Sequence, residues 1–375
     1  MKARFSETQS LLEQAVADRF FSGASLLVFR SGLPLWGTEK GMTAYPLEGV
    51  SSMPVSPETL FDLASLTKPL VTAFLTALLI QERKLFPEEK IAAIIGEGAS
   101  TPLSHITLFD LLNHASGLPD WKPYYLSLLS DGEKKICSFD KQAVYRSVHQ
   151  ERPVYGARDR NLYSDPGFIL LGEILEKKSG LSLDRLYEEK ILKPIGGADA
   201  GFRPVDPDTG RAEGFGEGRT FAATEKSDLR GKIIQGEVDD DNAWAMGGVA
   251  GHAGLFGTAK GVFTLFKEWS EGFFGRKSLL AGETVRTFVE RGRFQRDWGL
   301  GWMFPSGPAS TAGNLFSRRA FGHLGFTGTS LWYDPEADLG VILLTNRVHP
   351  TKENQVMKTF RPEIHDLIYR EASDA

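Results

Sequence analysis

The chain has 375 residues, 41% hydrophobic and 24% charged, an ordinary globular composition that suffices for one large domain or two lobes. Its 43 basic and 48 acidic residues leave a net charge of −5, so neither nucleic acid nor an anionic membrane is an expected partner. The single cysteine, Cys137, excludes an intrachain disulfide and reads as an incidental thiol.

The residues from Met1 to Gln9 lack the apolar core of a signal peptide, so the chain as it stands reads as cytoplasmic. A periplasmic or extracellular protein whose signal had been removed would read the same. Leu11, Leu12, Ala15, Val16 and Phe20 recur at helical spacing and predict an amphipathic helix over about residues 6–20. Gly23–Arg30 and Leu33–Thr43 predict two strands around a Ser31-Gly32 turn. A Pro-, Ser- and Gly-bearing loop over residues 45–60 leads into Phe61-Asp-Leu-Ala-Ser65-Leu-Thr-Lys68-Pro69 and the apolar run Leu70–Ile80.

That run holds only Thr72 and Thr76 as polar residues, which predicts a helix buried on nearly all sides. At about eleven residues it is short of the ~20 that a membrane span needs. Pro69 places the helix start close to Ser65, because its ring would clash with the carbonyl four residues back. Ser65 and Lys68 then share a face. A hydroxyl beside an amine at a helix N-terminus is what an activated serine needs, with a base for its proton and N–H groups for an oxyanion. The tetrad S-x-x-K also recurs by chance, and serine is a common helix cap. The buried helix behind it is what makes a nucleophile the better reading.

Residues 85 to about 240 carry little strand signal and predict helices at Ile106–Asn113, Pro166–Ser179 and Leu183–Leu192, with a long loop over Ala198–Asp241. Ala245–Gly257 holds five glycines in thirteen residues, a density suited to close backbone approach. It has no lysine of a phosphate-binding loop. Helices follow at about 258–271 and 281–291, then short strands at Gly299–Phe304, Ala320–Phe326, Thr329–Tyr333 and Leu339–Thr345, and a closing helix over Glu353–Arg370. Strands at both ends with helices between predict one α/β (α+β) domain. Its antiparallel sheet comes from about residues 1–84 plus 290–375, with an all-helical lobe inserted over about 85–289. No His or Cys spacing predicts a metal, and no G-x-S-x-G elbow predicts an α/β-hydrolase.

Ser65-Leu-Thr-Lys68, Tyr163-Ser-Asp165 and His323-Leu324-Gly325 resemble, in order and spacing, the S-x-x-K, Y-x-N and K/H-T-G motifs of the serine β-lactamase and penicillin-binding-protein superfamily. The class C β-lactamase-like branch is the most similar. Leu112-Asn-His-Ala-Ser-Gly-Leu118, Gly301-Trp302 and Gly322-His-Leu-Gly-Phe-Thr-Gly-Thr-Ser330 resemble further segments of that branch. The resemblance implies a β-lactamase/transpeptidase-like fold and an acyl-enzyme on Ser65. It implies Lys68 as proton acceptor or as the charge that lowers the Tyr163 pKa, Tyr163 as general base and acid, and the N–H groups of Ser65 and Phe326 as the oxyanion hole. It calls for no metal or cofactor, and it places Asp165, His323, Leu324 and Gly325 against the substrate.

Two departures bear on the substrate. Asp165 stands where the family has asparagine, and an ionised carboxylate accepts hydrogen bonds but cannot donate them. His323 and Leu324 replace the lysine and threonine that grip a substrate carboxylate, leaving Arg318 or Arg319 as the nearest charges in sequence. The expected activity is therefore ester or amide hydrolysis, on a peptidoglycan-derived peptide (carboxypeptidase or muropeptide amidase type) or a small ester. Asp241-Asn242-Ala243 and Gly251-His-Ala-Gly254 resemble the amidase and carboxypeptidase relatives. The alternatives are a weak β-lactamase and a penicillin-binding sensor that β-lactams acylate without turnover.

Overall fold

The two ends of the chain meet in one sheet. The structure is a computed structural model that describes residues 5–96, 101–129, 138–291, 297–307 and 310–373; Cys137 lies outside the described residues. Strands β1 (Gly23–Arg30) and β2 (Leu33–Gly41) join β3 (Phe321–Leu324), β4 (Ser330–Asp334) and β5 (Leu339–Thr345) in the order β2-β1-β5-β4-β3. Every pairing is antiparallel, and β1 closes the sheet by lying against β5 with Leu26 opposite Leu343.

Alternation of side chains in β5 explains the layers. Val341 and Leu343 face a core with Leu12 of the Ser6–Ala17 helix and Phe360 and Ile364 of the Met357–Ser373 helix. Ile342 and Leu344 face the larger core, which includes Phe266 and Trp269 of the Ala259–Phe273 helix and the apolar residues of the run Leu70–Leu79. Ala64–Gln81 is apolar enough over its 18 residues to resemble a membrane span, but 83% of it is buried within the protein. It is the central helix of this core.

Two expectations need correction, and one helix adds to them. The inserted region is not all-helical: Leu255–Gly257 pairs with Phe61–Asp62 on one side and Ala200–Phe202 on the other in a second sheet, and Ala223–Ser227 pairs with Lys232–Gln235. These strands have two to five residues, too few to show alternation. Gly299–Phe304 is not a strand, because Gly301 takes a φ of 81° and the chain folds back, Gly299 N–H donating to Trp302 O. A helix over Lys141–His149, capped by Asp140, was not expected from the sequence.

The Gly-rich strip supports the central helix. A Cβ on Gly251 would lie 2.2 Å from Phe168 O and 3.0 Å from Gly172 Cα. Only glycine lets this strip pass against the Asp165–Ser179 helix. Closely held, its carbonyls accept hydrogen bonds from the central helix, Gly251 O from Thr72 Oγ1 at 2.6 Å and His252 O from Lys68 Nζ at 3.0 Å. Gly251→Ala should therefore destabilise the fold by about 1–3 kcal/mol. Urea denaturation measures this, and an unchanged midpoint and slope would show that the contact is not limiting.

Candidate active site

The segment before the central helix is bent. Ala64 has φ 47°, a left-handed conformation that costs a non-glycine residue about 1 kcal/mol. Its N–H donates to Asp62 Oδ1 at 2.8 Å, and Thr67 Oγ1 closes the turn on Ala64 O at 2.6 Å. The chain then runs through a 3-10 turn, Ala64–Leu66, and a π turn, Lys68–Ala73, before the α-helix Phe74–Gln81. The wide turn accommodates Pro69 without breaking the helix. Ser65 is left half-buried at a cavity and Lys68 fully buried behind it.

The turn bearing Tyr163 is fixed by the Leu112–Leu118 segment. Leu162 N–H donates to His114 O at 2.8 Å, and Ser164 N–H donates to His114 Nδ1 at 3.1 Å. Ser164 Oγ donates to Pro119 O and accepts from Gly167 N–H, capping the Asp165–Ser179 helix. The His114 ring lies 4.7 Å from the Tyr163 ring. Burial, and next the charge of Lys68, hold His114 well below its ordinary pKa, so its Nδ1 remains an acceptor.

These two segments bring Ser65, Lys68, Tyr163 and Asp165 together. Tyr163 Oη donates to Ser65 Oγ at 2.7 Å, and Lys68 Nζ donates to it at 3.0 Å. Lys68 Nζ is also 2.7 Å from Asp165 Oδ1. Burial pushes the Lys68 ammonium down, but Asp165 and Tyr163 more than offset this and raise it above its ordinary value. Burial likewise pushes Tyr163 up to about 12; Lys68 pulls it back and Asp165 adds to the rise. At neutral pH Ser65 Oγ thus accepts from two protonated groups.

The third motif forms the opposite wall. Thr327 Oγ1 donates to Asp62 O at 2.8 Å and Thr329 Oγ1 to Leu63 O at 3.2 Å, so the β3–β4 turn is tied to the segment just before Ser65. A Cβ on Gly325 would lie 2.7 Å from Leu63 O, which is why glycine stands there. The Phe326 N–H, at the tip of this turn, makes no hydrogen bond among the described residues. His323 is buried, and burial followed by the Lys68 charge pushes it down to about 3. Its Nδ1–H donates to Leu324 O at 2.8 Å.

Ser65, Tyr163, Asp165, His323, Leu324, Gly325 and Phe326 all line one cavity of about 790 Å3. Arg318 and Arg319 are not among its lining residues. The cations there are Arg347, Lys352, Lys358 and Arg361, which no sequence signal pointed to. Both arginines are engaged: Arg347 Nε donates to Phe326 O at 2.9 Å, and Arg361 Nη2 donates to Thr329 O at 2.8 Å and Gly325 O at 3.2 Å. Sequence reading also missed Asp240, whose Oδ1 is 2.9 Å from His252 Nε2. Burial pushes Asp240 up, but His252 outweighs it and holds the carboxyl at about 2. Among the described residues no group of three His, Cys, Asp or Glu is placed to hold a metal.

A family model described as Beta-lactamase matches residues 8–366. A protein of Escherichia coli O157:H7 named "Putative D-alanyl-D-alanine carboxypeptidase" is 31% identical over 373 residues, covering 92% of this chain and 83% of that protein. One of the same name from Escherichia coli (strain K12) is 32% identical over 312 residues, covering 78% and 70%. In fold, the chain is similar to EstCE1, a hydrolase with promiscuous acyltransferase activity, at a TM-score of 0.73 and 20% identity over 96% of this chain and 97% of that one. It is also similar to the octameric penicillin-binding protein homologue from Pyrococcus abyssi, at 0.72 and 20% over 98% and 81%.

The Asp165 carboxylate sits beside both groups that could take the Ser65 proton and favours the protonated form of each. Asp165→Asn should move the rising limb of the kcat/KM–pH profile to lower pH, because a base acts only above its pKa and removing the negative charge lowers that pKa. A limb that stays in place or moves to higher pH would show that Asp165 does not set the protonation of Lys68 or Tyr163.

Proposed function

The chain belongs to the β-lactamase family and is a serine hydrolase, and from that premise we propose that Ser65 forms an acyl-enzyme with a short peptide amide or a small ester. The observation that carries this is the pair of hydrogen bonds that Ser65 Oγ accepts from Tyr163 and Lys68 at the cavity. In the proposed reaction one of these two groups, once deprotonated, takes the Ser65 proton and Oγ attacks the carbonyl. The N–H groups of Ser65 and Phe326 receive the oxyanion. Tyr163 protonates the leaving group, and water then attacks the acyl-enzyme and releases the acid.

The relatives' name makes a peptidoglycan-derived peptide the first substrate class. Within it, an amidase or esterase fits better than a carboxypeptidase. A carboxypeptidase or β-lactamase must hold a carboxylate; β3 offers a neutral His323 and the apolar Leu324, Arg347 and Arg361 are turned to backbone carbonyls, and Lys352 pairs with Glu225, which leaves the exposed Lys358 as the remaining cavity cation. A hydrogen bond to a charged group is worth about 1.5–3 kcal/mol, or roughly ten- to a hundredfold.

A second reading has one observation behind it. Lys68 and Tyr163 both lie above their ordinary pKa, which slows deacylation and favours a sensor that is acylated without turnover. Burst kinetics on a chromogenic ester separate the two: stoichiometric release that stops marks the sensor, and a steady rate marks the enzyme.

Fluorophosphonate should label Ser65 alone, and Ser65→Ala should lower ester turnover by at least about a thousandfold. An adduct mapped elsewhere, or labelling that survives the substitution, would remove Ser65 as nucleophile. 4-Nitrophenyl acetate should exceed nitrocefin in kcat/KM, and Leu324→Thr should narrow the gap. Nitrocefin being the better substrate of the wild type would refute the account of the third motif.

A further inference from the structure

The carboxylates lining the cavity differ in what balances their charge. Asp165 has Lys68 at 2.7 Å, Glu225 has Lys352 at 3.2 Å, and Asp241 has Arg230 at 3.1 Å. Asp239 is buried and pushed towards its neutral form by that burial. Neither Asp120 nor Asp240 has a Lys or Arg partner among the described residues; Asp120 is exposed and accepts from Trp121 N–H, whereas Asp240 is half-buried. Its side chain is 23% exposed, its Oδ1 accepts from Ala243 N–H and meets His252 Nε2, and its Oδ2 makes no hydrogen bond among the described residues.

A second observation points the same way. His252 also lines the cavity and is 99% buried, since only 1% of its surface is exposed, yet its Nδ1 has no hydrogen-bond partner among the described residues. Nε2–H donates to Asp240, and it is only in the neutral ring that Nδ1 is left as an acceptor. The strip thus turns one open acceptor to the cavity, Asp240 Oδ2, with the His252 ring packed behind it. The His252 carbonyl also holds Lys68 Nζ, whose next contact is Ser65 Oγ, so this strip is two contacts from the nucleophile. A ligand that satisfies it brings several N–H donors and a positive charge.

We propose that Asp240 receives a protonated amine of the substrate, so that the cavity takes amino-bearing esters and amides in preference to neutral or anionic ones. This rests on the serine-hydrolase reading and names the substrate class for that same site. It accords with a third motif that offers no grip for a carboxylate. The amine docks on Asp240 Oδ2 while the ester or amide carbonyl lies at Ser65, and no step of the chemistry changes.

The test uses two pairs of substrates near pH 6.5, where the amines are protonated: the 4-nitrophenyl esters of glycine and N-acetylglycine, and 2-aminoethyl acetate against 2-acetamidoethyl acetate. The first pair puts the amine on the acyl side, the second on the leaving side. The wild type should favour the free amine by about tenfold or more in kcat/KM in at least one pair. Asp240→Asn, whose amide oxygen still accepts from Ala243 N–H and faces His252, should bring that ratio to within about twofold of unity, and Asp240→Glu should restore part of it. A ratio near one in both pairs for the wild type, or one that Asp240→Asn leaves unchanged, overturns the proposal. If no ester is turned over, the same ratio is read from how far glycinamide and N-acetylglycinamide slow fluorophosphonate labelling of Ser65, and equal protection overturns it. Labelling away from Ser65 would instead overturn the nucleophile assignment, so the two failures are distinguishable.

Discussion

A single buried ammonium constrains the site. Lys68 is fully buried, and an uncompensated charge there would cost several kcal/mol or lose its proton. Three acceptors from three segments compensate it: Asp165 at the start of a helix, the His252 carbonyl in the Gly-rich strip, and Ser65 Oγ one turn back. Each segment is therefore placed by the same charge. Gly251 and Gly172 allow the strip close enough, and Ser164 and His114 hold the helix start. Ser65, the proposed nucleophile, is one of the ligands of that charge, so folding and the arrangement of the site are a single problem.

The choice of carboxylate at Asp165 has a chemical consequence. An amide there would leave Lys68 as a net positive charge that stabilises tyrosinate. The carboxylate cancels much of that charge, so Tyr163 stays neutral and Lys68 stays protonated. In the proposed reaction the resting site must therefore lose a proton before Ser65 can attack. Stability of the buried pair and readiness of the base pull in opposite directions, and Asp165 favours the first.

Much of this was legible in the sequence. Ser65, Lys68 and Pro69 before an apolar run fixed the buried helix and its polar entry, and the strands at the two ends gave the main sheet. Tyr163 and His323 were legible only through the resemblance, because a lone aromatic or histidine has no pattern of its own. Short strands such as Ala200–Phe202 were not legible, since a few residues with a glycine carry neither alternation nor propensity. Asp240, Arg347 and Arg361 were missed for another reason. Their roles depend on which backbone or side-chain groups lie opposite them in space, and Arg361 meets the turn at Gly325 from 36 residues away.

That last contact ties the end of the chain to the chemistry. Gly325 C=O and Phe326 N–H belong to one peptide unit. The carbonyl accepts from Arg361 at 3.2 Å and from Gly328 N–H at 3.1 Å, while the N–H makes no hydrogen bond among the described residues. Burial pushes Arg361 down to about 9, with Arg347 adding to the fall, so the guanidinium is still charged at neutral pH. A cation on the carbonyl draws electron density from the amide nitrogen and makes its N–H a stronger donor. The contact that engages Arg361 also reinforces the N–H that the proposed reaction assigns to the oxyanion.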